Sequence, residues 1–408
     1  MFDVKKVRND FAMIRNHPDL IYFDNGATSF KPDCVLESLM HYYTHCNSNI
    51  HRGDYDISFE ASNMYEATRE AVKNFLNARK AEEIVFTAGD TASLNTIAYG
   101  YAEKYLKEGD AILSSEVEHA SDILPWYVIA EKTKAKIVFT PVKEDGRFDL
   151  QAYEECLRNN RVRFVALTYV SNVLGYIYPV KEICALAHRY GAVVCIDGAQ
   201  AVPHLPIDVQ DLDMDFLTFS SHKMCGPEGV GVLYGKKELL DKMDPLFQGG
   251  GANARFDAKQ NVILKETPYK FEAGTPNVSS VIALKDAIGY LQGIGMEELA
   301  AYEYELASYF LKRLEECDNV IVYNPHTDTG IVSFNIKGVF SQDAATYFNS
   351  KNIAVRTGNH CAKMLVDIIG VGDTIRASFY FYNTKEEIDR FIDVIKETTL
   401  EKCIEVVL

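Results

Sequence analysis

The chain has 408 residues, of which 47% are hydrophobic and 25% are charged; this excludes wholesale disorder and predicts about two folded domains. Its 42 Lys and Arg residues against 58 Asp and Glu residues give a net charge of −16 at pH 7. Because nucleic-acid backbones bind concentrated positive charge, this acidic balance argues against a nucleic-acid partner.

Short β-branched and aromatic runs alternate with helical patterns over the first two thirds of the chain. Several runs are apolar throughout, which is typical of strands buried on both faces of a mainly parallel sheet. The alternation predicts right-handed crossovers with helices on both faces. Strands are predicted at residues 84–86, 111–113, 137–139, 164–167, 193–196, 216–219 and 230–233, and helical spacing covers residues 57–76 and 180–190.

The pattern changes after about residue 290. A long helix is predicted from Met296 to about Cys317, and strands are predicted at 320–323, 331–334, 353–355 and 375–382 before a closing helix. These elements indicate a smaller α+β unit. We expect a large α/β domain over residues 21–290 and a small α+β domain formed by residues 1–20 and 291–408.

The apolar runs and the cysteines indicate neither a membrane protein nor a secreted one. No run reaches the roughly 18 apolar residues that cross a bilayer, and the charged start lacks the apolar core of a signal peptide. The nine cysteines are widely spaced and contain no Cys-x-x-Cys pair, which disfavours a disulfide framework or a zinc site. We expect a cytoplasmic protein with free thiols, no membrane partner and no metal.

Several familiar motifs are missing from the sequence. There is no Gly-x-Gly-x-x-Gly after a strand, no P-loop, no Gly-x-Ser-x-Gly and no His-Glu-x-x-His. Nicotinamide binding, P-loop hydrolysis, serine-hydrolase chemistry and zincin chemistry therefore lack their usual support.

Three polar clusters follow predicted strands, where open α/β sheets place their ligands. Asp197 follows one predicted strand, and Gln200 lies three residues later. Lys223 follows another strand. Thr91 lies at the start of a helix whose backbone N–H groups could bind a phosphate. Taken singly, Asp197 is explained as a helix cap and Lys223 as a surface charge. Together the clusters supply the carboxylate, amine and phosphate cradle that pyridoxal 5'-phosphate (PLP) requires.

Longer motifs carry a resemblance to a known family. The segments Asp197-Gly-Ala-Gln200, Ser220-x-His222-Lys223 and Gly226-Pro-x-Gly-Val-Gly resemble the class V aminotransferase family of PLP enzymes. Further segments resemble the group II cysteine desulfurases and selenocysteine lyases, including the desulfurase of the Suf system: residues 51–53, 118–119, 271–276, 356–361 and 376–378. The similarity runs from about Ile21 to the closing helix. It implies PLP-dependent fold type I, with a mainly parallel seven-stranded sheet between helices and a smaller α+β domain.

The resemblance implies a role for each residue around the cofactor ring. Lys223 forms the Schiff base, Asp197 pairs with the pyridine nitrogen, and Gln200 pairs with the ring hydroxyl. His119 stacks on the ring as a catalytic residue, with a buried core histidine as the alternative. Asn172 lies near both the ring hydroxyl and the substrate.

The resemblance also implies a phosphate site that is shared between two subunits. Thr91, Ser220 and His222 hold the phosphate, and Thr275 reaches it from the partner subunit of a homodimer. Where the family usually has a threonine, this chain has Asp90. A carboxylate near a dianion is unfavourable unless it turns away or caps the helix.

The remaining implied residues handle the substrate. Arg376 binds the α-carboxylate through its two-pronged guanidinium, and Arg356 and His51 lie nearby. Cys361 is the nucleophile, and the positive neighbours Arg356 and His360 stabilise its thiolate. Without the resemblance, Cys361 is better explained as one more buried cysteine among nine.

The resemblance implies that L-cysteine is converted to L-alanine. Cys361 would carry the sulfur as a persulfide and pass it to a protein acceptor for iron–sulfur cluster assembly. Selenocysteine lyase and cysteine-sulfinate desulfinase are the alternatives nearest in chemistry. A class V aminotransferase and a non-catalytic sulfur carrier or scaffold are more distant, and the presence of Lys223, Asp197 and His119 together argues against the last.

Overall fold

A computed structural model of the protein describes residues 3–407. Met1, Phe2 and Leu408, which the predicted small domain includes, lie outside the described residues. The strands are β1 (Ile21–Tyr22), β2 (Ile84–Thr87), β3 (Ala111–Ser115), β4 (Lys136–Thr140), β5 (Val162–Thr168), β6 (Val193–Asp197), β7 (Phe216–Ser220), β8 (Gly231–Gly235), β9 (Asn253–Phe256), β10 (Val262–Leu264), β11 (Val320–Val322), β12 (Ile331–Ile336), β13 (Ile353–Ala354), β14 (Arg356–Gly358) and β15 (Thr374–Ser378).

The helices flank these strands. They are α1 (Val4–Arg8), α2 (Ala12–Asn16), α3 (Asp33–His45), α4 (Asp56–Phe75), α5 (Asp90–Ile97), α6 (Glu103–Tyr105), α7 (Leu124–Thr133), α8 (Leu150–Asn159), α9 (Val180–Arg189), α10 (Lys237–Leu240), α11 (Val278–Ile294), α12 (Met296–Leu314), α13 (Ser341–Ser350), α14 (Lys363–Ile368), α15 (Lys385–Glu397) and α16 (Leu400–Val407). Between residues 3 and 407, no helix is both long and apolar enough to cross a membrane.

The large sheet has seven strands in the order β2-β8-β7-β6-β5-β3-β4, which confirms the predicted sheet. Its strands from β4 to β7 are parallel, and β8 runs antiparallel to both β7 and β2. Side chains along β3 alternate between two cores, with Leu113 in one and Ile112 in the other. Because helices cover both faces, the strands are apolar without alternation, as the sequence indicated.

The smaller unit is built on the antiparallel sheet β11-β12-β15-β14. Phe310 of α12 stacks on Phe391 of α15 with ring centroids 5.5 Å apart, and both belong to a separate core. Strand β1 pairs in parallel with β13, and its Ile21 packs in this same core. The first residues of the predicted large domain therefore lie with the smaller unit.

Two predicted elements are shorter than expected. The helix that begins at Met296 ends at Leu314, and the strand predicted to reach Tyr382 ends at Ser378. A turn follows that strand, in which Asn383 Oδ1 accepts a hydrogen bond from the Tyr380 N–H at 2.9 Å. The apolar aromatic run that resembled a strand instead packs around Phe11, whose ring centroid lies 4.8 Å from that of Tyr382.

Candidate active site

The carboxyl ends of β5, β6 and β7 meet at a cavity of about 350 Å³. Thr168, Asp197 and Ser220, the last residues of these strands, all line it. This is where open α/β sheets bind their ligands. The cavity brings together every predicted site residue except Thr275 and His51: Thr91, His119, Asn172, Asp197, Gln200, Ser220, His222, Lys223, Arg356, Cys361 and Arg376.

Asp197 and Gln200 bring buried polar atoms to this cavity. Asp197 Oδ1 accepts a hydrogen bond from the Ala199 N–H at 2.8 Å. Gln200 Nε2 donates to the Gly26 carbonyl at 2.7 Å, whereas Gln200 Oε1 is buried and has no partner among residues 3–407. Burial raises the pKa of Asp197, and both the Ala199 hydrogen bond and the charge of Lys223 lower it. A cationic group beside Asp197 would therefore keep it ionised.

Lys223 follows β7 and is partly buried at the cavity wall. Within the described part of the chain its amine has no hydrogen bond or ion pair. Burial lowers the pKa of Lys223, although Asp197 and Asp90 raise it. A lowered pKa increases the neutral, nucleophilic fraction of the amine, which Schiff-base chemistry needs. The structure therefore does not support a surface-charge role.

The start of α5 and the end of β7 form a polar cradle. Ser220 Oγ accepts a hydrogen bond from the Asp90 N–H at 2.8 Å, and Thr91 lines the cavity beside it. A Cβ on Gly231 would lie 2.4 Å from the carbonyl carbon of Gly89, so only glycine lets β8 approach this turn. The helix start offers N–H groups and the positive end of a dipole to a phosphate.

Asp90 occupies this cradle without a conflict of charge. Its Oδ1 is buried and lacks a partner among the described residues. Burial, and then the charge of Asp197, raise the pKa of Asp90 to about 8. At neutral pH the carboxyl is therefore protonated, and it does not repel a phosphate dianion. The carboxyl of Asp90 does not turn away from the cavity, but without a charge it is compatible with a phosphate at this position.

Two histidines of the cavity are neutral. Burial, and then the charge of Lys223, lower the pKa of His119 to about 4 and the pKa of His222 to about 4. His119 Nδ1 accepts a hydrogen bond from the Ser121 N–H at 3.1 Å. A neutral imidazole suits stacking on an aromatic ring, and a neutral His222 can donate one hydrogen bond to a phosphate.

Behind these residues lies a buried acidic pair to which sequence reasoning gave no role. Glu118 accepts hydrogen bonds from Ser115 Oγ at 2.5 Å and from the Thr168 N–H at 2.7 Å. Asp122 accepts one from Trp126 Nε1 at 2.9 Å. Burial raises the pKa of Glu118 to about 8, and it raises the pKa of Asp122 well above its usual range. Glu118 is therefore largely protonated near neutral pH.

Arg376 is fixed on β15 with its side chain 4% exposed. Its Nη1 donates to the Asn172 carbonyl at 2.8 Å, and its Nε is buried without a partner among the described residues. A Cβ on Gly26 would lie 3.2 Å from the Arg376 guanidinium carbon, so glycine leaves room for the guanidinium. This unpartnered donor suits a carboxylate.

Arg356 lies at the cavity edge with its side chain 49% exposed. Its Nη2 lies 2.6 Å and its Nε 3.2 Å from the two carboxylate oxygens of Asp24. The sequence predicted Arg356 near the substrate but did not single out Asp24. The signal that could have found it is the Asp-Asn-Gly segment one residue after β1, a polar turn that follows an apolar run.

Cys361 is exposed and also lines the cavity. Two consecutive residues, His360 (φ 50°) and Cys361 (φ 57°), have left-handed backbone conformations, which are uncommon outside glycine and mark strained functional turns. The Cys361 carbonyl accepts a hydrogen bond from the Ala120 N–H at 2.7 Å, and this ties the turn to the segment that follows β3. The alternative of one more buried cysteine does not hold.

The prediction that His360 is positively charged has to be corrected. Burial, and then the charge of Arg376, lower the pKa of His360 to about 3, so its ring is neutral. Its Nε2 lies 2.8 Å from Thr374 Oγ1, and it therefore supports the loop rather than the thiolate. Arg356 remains as a cation near the thiol, with part of its charge compensated by Asp24.

Thr275 and His51 line a second cavity, of about 140 Å³, together with Glu272. His51 Nε2 lies 3.4 Å from Glu66 Oε1, and its ring packs edge-on against Tyr65 with centroids 5.8 Å apart. Neither residue lines the cavity of Lys223 in its own chain. Their action on the site of a partner subunit stays a prediction.

The residues of the first cavity fit PLP. Buried polar atoms of Asp90, Gln200 and Arg376 lack partners among residues 3–407, and Lys223 has a lowered pKa beside the carboxylate of Asp197. Buried polar groups are otherwise nearly always hydrogen-bonded, so an unsatisfied set around one cavity indicates a ligand of matching polarity. A phosphate, a ring with a basic nitrogen and a hydroxyl, and a substrate carboxylate would satisfy this set.

Comparisons with known proteins agree with this geometry. A model of the aminotransferase class-V family matches residues 21–391. A protein of Halalkalibacterium halodurans, described as a probable cysteine desulfurase, is 45% identical and covers 97% of this chain and 97% of its own length.

Solved structures extend the likeness to the fold. The apo cysteine desulfurase of Thermococcus onnurineus NA1 has a TM-score of 0.92 and 38% identity, covering 96% of this chain and 97% of its own. The cysteine desulfurase CsdA of Escherichia coli has a TM-score of 0.91 and 34% identity, covering 100% of this chain and 99% of its own. The chain therefore belongs to the class-V aminotransferase family of PLP-dependent enzymes.

Proposed function

We propose that the protein is a PLP-dependent cysteine desulfurase. It converts L-cysteine to L-alanine and holds the sulfur as a persulfide on Cys361. The observation that carries the proposal is that an exposed thiol, Cys361, lines the same cavity as Lys223 and Arg376. The similar proteins described as cysteine desulfurases support it, and nothing in the site favours a selenocysteine lyase, a sulfinate desulfinase or an aminotransferase.

Different side chains bind the cofactor, bind the substrate and transfer the proton. PLP, when bound, withdraws electrons from the substrate carbon that carries the amino group. We propose that Asp197 and Gln200 hold its ring, His119 covers it, and Thr91, Ser220 and His222 hold its phosphate. Arg376 binds the substrate carboxylate, and Asn172 fixes Arg376 through its carbonyl. Lys223 moves the proton of the substrate α-carbon; burial lowers its pKa and so increases the fraction of neutral amine that can accept a proton.

Cys361 performs the sulfur transfer. Its thiolate attacks the substrate sulfur, and a sulfur–sulfur bond forms as the carbon–sulfur bond breaks. The electron pair of the broken bond stays with the carbon fragment, which takes up a proton and leaves as alanine. The strained turn holds the thiol at the cavity, and Arg356 provides the neighbouring positive charge.

We further propose that the protein acts as a homodimer. Large apolar side chains are exposed in segments that follow lining residues of the second cavity in the sequence, including Tyr55 (50%), Phe59 (57%) and Phe256 (71%). A surface of this kind is typical of a protein interface. Thr275 and His51 would then reach the phosphate and substrate of the partner subunit, which accounts for their separation from Lys223.

A protein acceptor would receive the sulfur for iron–sulfur cluster assembly. The exposed Cys361 is linked by a hydrogen bond to Ala120, and α7 begins shortly after that residue. This helix exposes the apolar side chains of Leu124, Tyr127 and Val128, which offer a contact surface near the thiol. Free thiols at all nine cysteines support a reducing, cytoplasmic location.

An alanine and sulfide assay tests the proposal. Cys361→Ala should abolish sulfur transfer from L-cysteine in the presence of a thiol acceptor, while the visible absorbance of bound PLP remains. Cys34→Ala is the matched control, because Cys34 is partly buried and its pKa is raised by burial. Sulfur transfer by the Cys361 variant at the parent rate would contradict the assignment.

A further inference from the structure

The end of α3 and the start of α4 bring three side chains of metal-binding type together. His41 lies in the last two turns of α3, Cys46 directly follows that helix, and Glu60 lies in the second turn of α4. A ring nitrogen of His41, Cys46 Sγ and a carboxylate oxygen of Glu60 all lie within 4.8 Å of one another. None of the three residues lines the first or the second cavity, so the cluster is separate from the candidate active site.

The ligand atoms of this cluster are not used by other contacts. Within the described part of the chain, the side chains of His41 and Glu60 form no hydrogen bond or ion pair. The His41 ring stacks on that of His45, with centroids 4.7 Å apart, and this contact orients it. Cys46 Sγ is buried and lies 3.8 Å from Met64 Sδ, a second soft atom. Three kinds of ligand atom are therefore available in one place.

The charges of the cluster favour a divalent cation. Burial, and then the charge of Glu60, raise the pKa of Cys46, so the thiol keeps its proton while no cation is near. A metal ion displaces that proton, which passes to the solvent as the metal–sulfur bond forms. The thiolate and the carboxylate of Glu60 then carry two negative charges, and the imidazole of His41 is neutral. This sum balances one doubly charged ion.

The chemistry of the ligands selects the ion. Zn²⁺ binds thiolate, imidazole and carboxylate alike, whereas Ca²⁺ and Mg²⁺ prefer oxygen ligands throughout. Around a tetrahedral zinc ion the ligand atoms lie about 3.3–3.6 Å apart. The separations of up to 4.8 Å can contract to this range, because His41 and Glu60 are exposed and no hydrogen bond holds them. The fourth position stays open to water.

We propose that His41, Cys46 and Glu60 bind one Zn²⁺ ion, with water as the fourth ligand. The ion links α3 to α4 and fixes both ends of residues 47–55, the segment that carries His51 to the second cavity. This inference is independent of the proposed desulfurase function. It departs from the expectation of no metal, which rested on the spacing of the cysteines, because a mixed site needs only one cysteine.

Zinc titration of the PLP-loaded protein against a chromogenic chelator tests the proposal. The titration uses the Cys361→Ala protein, because the exposed thiol of Cys361 is itself a zinc ligand. We expect one Zn²⁺ per chain. We also expect a higher Tm with Zn²⁺ than without it, since the ion binds the folded chain. Absence of bound zinc at chelator concentrations that leave the ion available would overturn the proposal.

Substitution of each ligand locates the ion. In the same protein, His41→Ala, Cys46→Ala and Glu60→Gln should each weaken zinc binding by about tenfold or more and reduce the rise in Tm. Cys34→Ala on α3 and Glu70→Gln on α4 are matched controls and should bind zinc unchanged. If Cys46→Ala does not fold, the two exposed positions still decide. Unchanged zinc binding by His41→Ala and Glu60→Gln would place the ion elsewhere and overturn the proposal.

Discussion

The two cavities differ in how their buried charges are compensated. Beside the second cavity, Arg69 is 1% exposed, and every nitrogen of its guanidinium is hydrogen-bonded. Its partner Glu272 contacts it at 2.8 and 3.0 Å and also accepts a hydrogen bond from the Phe86 N–H at 2.9 Å. In the first cavity, Asp90, Gln200 and Arg376 each keep a buried polar atom without a partner among the described residues.

This difference separates a structural cluster from a binding site. A fully paired buried network holds elements together, here α4, β2 and the segment before α11, and gains nothing from a ligand. Unpaired buried groups cost free energy until a ligand satisfies them. We therefore propose that the first cavity binds the cofactor and the substrate, whereas the paired network beside the second cavity shapes the fold around Thr275 and His51.

Lys223→Ala should have the largest effect. We expect loss of the visible absorbance of bound PLP and a fall in kcat/KM for cysteine of about a thousandfold or more, because the amine that binds the cofactor and moves the proton is removed. Lys73→Ala on the exposed face of α4 is the control. Retention of parent absorbance and activity by the Lys223 variant would refute the assignment of the first cavity.

Glu272→Gln tests whether the buried ion pair of Arg69 and Glu272, beside the second cavity, stabilises the fold. Leaving Arg69 buried without its main partner should lower the free energy of unfolding by about 3–5 kcal/mol, measured by urea denaturation. Glu70→Gln, which breaks the exposed pair with Lys73, should cost less than about 0.5 kcal/mol. Equal effects of the two substitutions would show that the buried network is not structural.

Glu118→Gln should change the pH dependence of stability. Burial raises the pKa of Glu118 to about 8, above its unfolded value of about 4.3, so its contribution is fully present at low pH and is lost as the pH rises toward 8. The variant cannot ionise at this position and does not lose stability in this way. The difference in free energy of unfolding, variant minus parent, should therefore be about 1–3 kcal/mol larger at pH 8 than at pH 5. Urea denaturation at both values measures it, and Glu108→Gln is the exposed control. A parallel pH profile for parent and variant would contradict a protonated Glu118.

Asp90→Thr should have the smallest effect, confined to alkaline pH. As the pH rises through about 8, Asp90 ionises beside Asp197 and repels the phosphate, so the parent should bind PLP several-fold more weakly. The threonine variant should not show this loss. Equilibrium dialysis of PLP across this range tests the prediction, and an identical pH dependence for the two proteins would refute it.

Much of the fold and site follows from local sequence. Apolar strands that end in Asp197 and Ser220 predict both the sheet and the edge where the ligand binds, because consecutive residues carry that signal. The pairing of Asp24 with Arg356 joins residues 332 positions apart, and it depends on a register that no local pattern encodes. The protonation of Asp90 and the neutrality of His360 depend likewise on burial by distant segments.

The most direct test concerns the sulfur on Cys361. The PLP-loaded protein is incubated with L-cysteine without an acceptor, its persulfides are alkylated, and its peptides are analysed by mass spectrometry. We predict that the peptide containing Cys361 gains the mass of one sulfur atom, and that the peptides of the other eight cysteines do not. Persulfide on a different cysteine, or alanine formation with none on Cys361, would contradict the mechanism.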